Sequence, residues 1–353
     1  MTRFDEGLAF MLQAENVAWY EKGEVRILDR RIYPIRIDFV SCKTHLEVRD
    51  AIRNMVTQSA GPYTACSMGM ALAAYESRDK SREEREAYLK EAGQVLAHAR
   101  PTTVPRMQQI VEGCLAYAHS LEDWSQLDED LARYTLASME NRYNKIDQVA
   151  SYLLPLFSEG DRVLTQCFGE TIVGMMCRRA KEEGKALEFV CPETRPFLQG
   201  ARFTASVIHE MGFPVTVITD NMVAEKMAKG DIDVFTSAAD SINLDGSVIN
   251  KVGTLQIAIL AKHFGLPYFV TGIPDIYTKD SSQVEIEMRN PFESISFLGQ
   301  GHTLEGVQGY YPAFDITPAN LVSGVVTDLG CFSPYDLDQY AKKMSDGFYH
   351  FAV

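Results

Sequence analysis

Hydrophobic and polar positions change their spacing twice along the chain. Near the start, apolar and polar residues alternate in short runs: Asn16-Val17-Ala18-Trp19-Tyr20, Glu24-Val25-Arg26-Ile27-Leu28-Asp29 and Tyr33-Pro34-Ile35-Arg36-Ile37-Asp38-Phe39. This pattern predicts three strands, and Glu21-Lys22-Gly23 suits a hairpin turn. From His45 to about Arg100 the spacing turns helical. Ala51, Ile52, Met55 and Val56 share one face, Gly69 to Tyr75 predicts a buried helix, and Ser81 to Ala99 predicts an exposed amphipathic one. Helical patterning continues over Arg106–His119 and the long stretch Leu127–Leu154.

After Pro155 strand-like and helix-like runs alternate. Val163–Cys167 precedes Thr171–Glu183, Leu187–Cys191 precedes Phe197–Met211, and Val215–Thr219 precedes Val223–Ala228. Val234–Thr236 then leads to Gly253–Phe264, and Tyr268–Thr271 follows. Such alternation predicts a mostly parallel sheet covered by helices. The expected fold is α/β, with a small N-terminal strand-plus-helix domain over residues 1–135. A Rossmann-like C-terminal domain with a mostly parallel sheet follows over 136–353. No G-x-G-x-x-G follows a strand and no phosphate-loop motif is present, so a bound dinucleotide is not expected. In open sheets of this kind ligands sit beyond the carboxyl ends of the strands. That edge would hold Cys167, Cys191-Pro192-Glu193, Thr219-Asp220 and Asp240.

Charge narrows the partners. The formal net charge of −14 argues against a nucleic-acid surface, which needs an excess of Lys and Arg, but leaves room for one small basic pocket. No apolar stretch approaches the length of a membrane span. The opening Met1-Thr2-Arg3-Phe4-Asp5-Glu6-Gly7 is too polar for a secretory leader. Seven cysteines are scattered with no C-x-x-C pair, which disfavours zinc. They read as reduced thiols of a cytoplasmic protein, six of them as small buried hydrophobes.

Cys167 stands where a strand hands over to a helix. A helix N-terminus lowers a thiol pKa and apolar surroundings raise it, and a packed core cysteine is the alternative. Asp240 is either a turn cap or a partly buried carboxylate able to act as general acid or base. Asn250 is placed as a helix N-cap, with Lys251 at the helix start either on the surface or sharing a phosphate with backbone N–H groups. Gln199 lies in the first turn of a helix facing the same cleft. Arg100, before a proline, is expected to be extended and to reach into a pocket. The Gln58-Ser59-Ala60-Gly61-Pro62 segment breaks one helix and starts another, as an anion nest or as a plain turn.

Taken together these segments resemble the 5-methylthioribose-1-phosphate isomerase family. Its superfamily includes ribose-1,5-bisphosphate isomerases and the regulatory subunits of initiation factor 2B. The resemblance rests on Val25–Asp29, Ala51–Met55, Arg100-Pro101-Thr102, Leu164–Cys167, Arg195–Arg202, Ala239-Asp240, Asn250–Thr254, Pro274 and Pro312–Ala319. It implies Cys167 and Asp240 as the catalytic pair, which the regulatory subunits lack. It also implies phosphate and sugar ligands at Arg100, Gln199, Asn250 and Lys251, and a homodimer; the missing nucleotide and metal motifs predict no cofactor and no metal. Apolar Phe314, Leu321, Val322, Val325 and Val326, read at helical spacing, suit either that dimer or core packing within one subunit. Methionine-salvage members carry Arg-Gly-Ala-Pro where this chain has Gln58-Ser59-Ala60-Gly61-Pro62. The departure favours 5-deoxyribose 1-phosphate slightly over methylthioribose 1-phosphate. Tyr63, Phe168 and Phe197 are expected around its apolar C5 substituent. The competing readings are a non-catalytic sugar-phosphate sensor and a ribose-1,5-bisphosphate isomerase.

Overall fold

Residues 3–100, 104–276, 278–297 and 299–343 are described by the computed structural model, and the chain divides between Asn144 and Lys145 into two units. In the first unit, α1 (Ala14–Val17) leads into an antiparallel sheet of β1 (Ala18–Glu21), β2 (Glu24–Leu28) and β3 (Phe39–Cys42). The third strand is not where the alternation predicts. Tyr33 to Asp38 form turn and loop, and β3 begins only at Phe39. The spacing of isoleucines misled because the stretch has no buried face: Ile35 is 81% exposed and Ile37 55%. Pro34 also has no N–H to give to a ladder.

Five helices follow: α2 (His45–Arg53), α3 (Gly61–Glu76), α4 (Arg82–Ala97), α5 (Val104–Ser120) and α6 (Leu127–Leu153). α3 is apolar all round and is buried along nearly its whole length, with α2, α4, α5 and β1 packed about it. α4 starts with a capping box: Glu84 N–H donates to Ser81 Oγ and Ser81 N–H to the Glu84 carboxylate. The domain boundary expected at 135/136 and the division at 144/145 both lie within α6.

The second unit alternates strands and helices: β4 (Arg162–Leu164), α7 (Thr171–Glu182), β5 (Glu188–Pro192), α8 (Ala205–Glu210), β6 (Val215–Ile218), α9 (Val223–Ala228) and β7 (Val234–Ala238). Then come β8 (Ser241–Ile242), β9 (Val248–Lys251), α10 (Thr254–Phe264), β10 (Tyr268–Thr271), β11 (Ser296–Phe297) and β12 (Gln300–Gly301). β13 (Phe314–Thr317), β14 (Gly324–Thr327), β15 (Gly330–Phe332) and α11 (Asp338–Lys343) complete it. The main sheet runs β15-β14-β10-β7-β4-β5-β6, parallel except for β15. β8, β9 and β13 make a second, antiparallel sheet. Phe314, Val325 and Val326 therefore stand on strands, not at helical spacing. Val322 and Val325 are buried in the core of this unit, so these residues lend no support to a dimer. Of the cysteines, Cys331 is exposed and Cys167 half-buried, while the other five are buried.

Candidate active site

The chain lays down β4, β5 and β6 outward in one direction, then returns to place β7 on the other side of β4. β4 and β7 are hydrogen-bonded parallel neighbours, with Leu164 opposite Phe235. This is a topological switch point, where loops leaving adjacent strands part and open a crevice. Cys167 lies on the loop after β4 and Asp240 on the loop after β7.

The Cys167 loop is held in an unusual backbone shape. Cys167, Glu170, Thr194 and Leu198 all have φ between +51° and +63°, a left-handed conformation that costs a non-glycine residue roughly 1–3 kcal/mol. Hydrogen bonds hold it there. Cys167 N–H donates to Thr194 Oγ1 at 3.2 Å, and the Thr204 hydroxyl donates to the Cys167 carbonyl. The N–H groups of Thr194 and Arg195 each donate to the Asp220 carboxylate at 2.8 Å. Gly200 opens a single π turn, Gly200–Thr204, which carries Thr204. A Cβ on Gly200 would lie 1.8 Å from the Pro192 carbonyl oxygen, so no other residue fits. Gln199, just before this turn, is 7% exposed, and its Oε1 has no hydrogen-bond partner among the described residues.

Asn250 and Lys251 do not begin a helix. They end β9, and α10 starts at Thr254 after Gly253, whose φ is +104°. The N-cap role expected of Asn250 is taken from across the sheet by Asp315 of β13, which faces Asn250. Its carboxylate accepts from Gly253 N–H at 2.6 Å and from Leu255 N–H at 3.1 Å. Asn250 instead donates from Nδ2 to Thr254 Oγ1 at 3.0 Å. Lys251 is 4% exposed. Its Nζ donates to the Ala313 carbonyl at 2.9 Å and lies 4.8 Å from the centre of the Phe314 ring. Asp240, at the surface, is tied to the same strand by its N–H, which donates to the Ile249 carbonyl at 2.9 Å.

Electrostatics joins these groups. Burial pushes the Cys167 thiol up to about 11; Lys251 and Arg289 oppose the rise and Asp240 adds to it. Of the two opposing influences on this thiol, burial prevails, and Cys167 is a neutral thiol at ordinary pH. Burial holds the Lys251 ammonium below its usual range, with Arg289 acting in the same sense and Cys167, Asp240 and Glu287 against it. Burial likewise raises the Glu293 carboxyl, against the pull of Arg289 and Lys251.

Arg289, Glu287, Glu293 and Tyr311 were not anticipated. They come from the irregular chain between β10 and β13. Arg289 donates from Nε to Glu287 at 3.2 Å, and its guanidinium carbon lies 5.6 Å from the Phe197 ring centre and 5.9 Å from that of Phe314. Phe197 in turn stands 6.3 Å from Tyr311, ring centre to ring centre. The alternating charges of Glu285-Ile286-Glu287-Met288-Arg289 were the one local signal. Behind Cys167 lies a small recess lined by Ile172, Val173, Met176 and Ala238.

The remaining candidates belong to the first unit. Gln58 is buried, and its carbonyl accepts from Arg30 Nη1 at 2.6 Å. Ser59 is exposed with φ +58°, and Ala60 is half-buried. Gly61 is required here: a Cβ would sit 2.0 Å from Thr57 Oγ1. Tyr63, on the first turn of α3, is half-buried. Arg100 is half-buried in a bend beyond the end of α4, while Pro101 and Thr102 of its motif lie outside the described residues. Among the described residues no group of three or more His, Cys, Asp or Glu could hold a metal, and no helix is long and apolar enough to cross a membrane.

Comparison with known proteins matches this architecture. A family model described as "Initiation factor 2 subunit family" matches residues 59–334. The chain is 32% identical over 351 residues to a methylthioribose-1-phosphate isomerase of Albidiferax ferrireducens, covering 94% of this chain and 96% of that one. It is 31% identical over 348 residues to a 5-deoxyribose 1-phosphate isomerase of Moorella thermoacetica, covering 93% and 97%. Among solved structures, 5-methylthioribose 1-phosphate isomerase from Pyrococcus horikoshii OT3 superposes with a TM-score of 0.81 at 27% identity, covering 92% and 95%. Translation initiation factor eIF-2B, subunit delta, from A. fulgidus superposes with a TM-score of 0.79 at 30% identity, covering 90% and 96%. The chain belongs to the initiation factor 2 subunit family, which it shares with sugar-1-phosphate isomerases.

Proposed function

We propose that this chain is an aldose–ketose isomerase that converts a 5-substituted ribose 1-phosphate into the corresponding ribulose 1-phosphate, with 5-deoxyribose 1-phosphate preferred and 5-methylthioribose 1-phosphate accepted. The curated relatives are named as isomerases of these two kinds. One observation carries the reading for this chain itself. A neutral thiol, Cys167, and a carboxylate, Asp240, leave the two strands of the switch point and feel the same buried cation, Lys251. A sensor has no need of that pair, and the pair is what disfavours the regulatory reading.

A ribose phosphorylated at C1 is closed as a ring and has no free aldehyde. Isomerisation must break the bond between C1 and the ring oxygen, and the ring oxygen gains a proton. The hydrogen on C2 moves to C1, and the C2 hydroxyl loses its proton as the ketone forms. Asp240 handles the proton of the ring oxygen and of the C2 hydroxyl. Cys167 stands by C1 and C2, as proton donor or as a neutral wall against water. Lys251 holds the phosphate, and the family resemblance alone assigns Arg100, Gln58, Ser59 and Ala60 to substrate binding. Gln199 and Asn250 bind sugar hydroxyls. The aromatic group around Arg289, with Phe197 and Tyr311, offers an apolar wall suited to a small C5 substituent. A cytoplasmic setting suits the seven free thiols.

The substrate panel tests this directly. Purified protein is given the 5-deoxy, 5-methylthio and 5-phospho forms of ribose 1-phosphate, and products are read by NMR. Ketose formation from the first two and little from the third is expected, with modest discrimination between the two, since a small apolar difference is worth about 1–3 kcal/mol. A kcat/KM highest for the bisphosphate moves the chain to the ribose-1,5-bisphosphate branch. No turnover of any of the three supports the sensor.

A further inference from the structure

The first unit contains a polar cavity that shares only Tyr63 with the candidates above. It lies among α3, α5 and α6 and has an empty volume of about 450 Å³ including its mouth. Thr135, Ser138 and Arg142 recur at intervals of three and four along α6, so they line one face. Thr64 and Ser67, three apart on α3, complete the polar lining used here.

Arg142 makes this cavity unusual. It is 8% exposed, yet its Nε and Nη2 have no hydrogen-bond partner among the described residues. No carboxylate among the described residues forms an ion pair with it, although the chain carries 48 acidic residues against 34 Lys and Arg. Among the described residues its guanidinium carbon lies 5.7 Å from the centre of the Tyr143 ring. That contact leaves the N–H donors unmet. Thr64 Oγ1 is also buried with no partner. The hydroxyls of Ser67 and Thr135 are already engaged, bonded to each other at 2.6 Å, with Thr135 also donating to the Leu131 carbonyl at 2.8 Å.

Nε–H and Nη2–H lie on one edge of the guanidinium plane. That edge fits two oxygens of a carboxylate or phosphate side by side. A buried, unpaired charge costs several kcal/mol, and buried N–H donors are ordinarily satisfied. Water can meet the donors but cannot neutralise the charge. We infer that this cavity binds the carboxylate or phosphate group of a small anionic ligand, side-on to Arg142, with the Thr64 hydroxyl donating to the ligand. The site stands independently of the isomerase activity.

The test is calorimetry on the full chain with inorganic phosphate and with malonate. It compares the wild type, Arg142→Met and Lys251→Met, each checked for fold by circular dichroism. Arg142→Met is expected to weaken one class of anion site at least tenfold, and Lys251→Met to leave that class unchanged. Tighter phosphate binding at that class assigns the occupant to phosphoryl compounds, and tighter malonate binding to carboxylates; either supports the site. Should Arg142→Met fail to fold, Arg142→Lys keeps the charge and removes the fork, and the same tenfold loss is expected. Isotherms of the Arg142 variant that superimpose on wild type for both anions overturn the inference. It is equally overturned if Lys251→Met abolishes the very binding that the Arg142 variant loses, because the anion then belongs to the substrate site.

Discussion

At the scale of single residues, burial decides the chemistry of Cys167. The thiol sits just before a helix, where a thiolate would be favoured, yet its pKa is pushed up to about 11 by burial. A thiol of this kind is a poor nucleophile and a usable proton donor at neutral pH. Alkylation by iodoacetamide at pH 7.5, read residue by residue by mass spectrometry, should therefore modify exposed Cys331 before Cys167. Faster labelling of Cys167 would mean an activated thiolate and a different mechanism. Cys167 and Asp240 were legible in the sequence because each follows a short apolar strand, and chain order alone puts strand ends on one edge. Arg289, Glu293 and Tyr311 were not, because they belong to an irregular segment that only tertiary packing brings to the site.

At the scale of elements, the join from β9 to α10 carries Asn250 and Lys251 and depends on Asp315. Its carboxylate caps α10 from a neighbouring strand, and burial raises its pKa to about 6, against the pull of the Gly253 and Leu255 N–H groups. Asp315→Ala leaves two half-buried N–H groups without this acceptor and should destabilise the protein by about 1 kcal/mol, measured by denaturant unfolding. No loss of stability would mean that the cap contributes nothing. The pH dependence has a defined sign. The folded pKa lies above the ordinary 3.8, so this group's contribution is fully present below pH 3.8 and is lost as pH rises through about 6. Between pH 5 and 7 the wild type should therefore lose more stability than Asp315→Asn, by about 1 kcal/mol. Equal slopes would contradict the raised pKa. The sequence pattern predicted the β/α alternation of the second unit well, because buried parallel strands and amphipathic helices differ in period. It erred where a local signal competed with packing. Asn250 reads as a cap until Gly253 and Asp315 are seen to do that work, and Ile35 and Ile37 alternate without a core to face.

At the scale of the molecule, the family resemblance implies a homodimer, and the second unit leaves apolar side chains in water that suit such a contact. Leu304 is 85% exposed, Tyr310 74% and Met288 56%. Sedimentation velocity at micromolar concentration should give the mass of two 39.5 kDa chains. A single-chain mass would reject the dimer and leave those side chains unexplained.

In the proposed function Cys167 and Asp240, set at the switch point, carry out the isomerisation. The most direct measurement is turnover of 5-deoxyribose 1-phosphate by the wild type, Cys167→Ser and Asp240→Asn, with the ketose product followed by NMR. Each variant should fold normally and lose at least about 10²-fold in kcat, the usual scale for a lost acid or base. Near-normal turnover in either variant would remove that residue from the mechanism, and near-normal turnover in both would contradict the account.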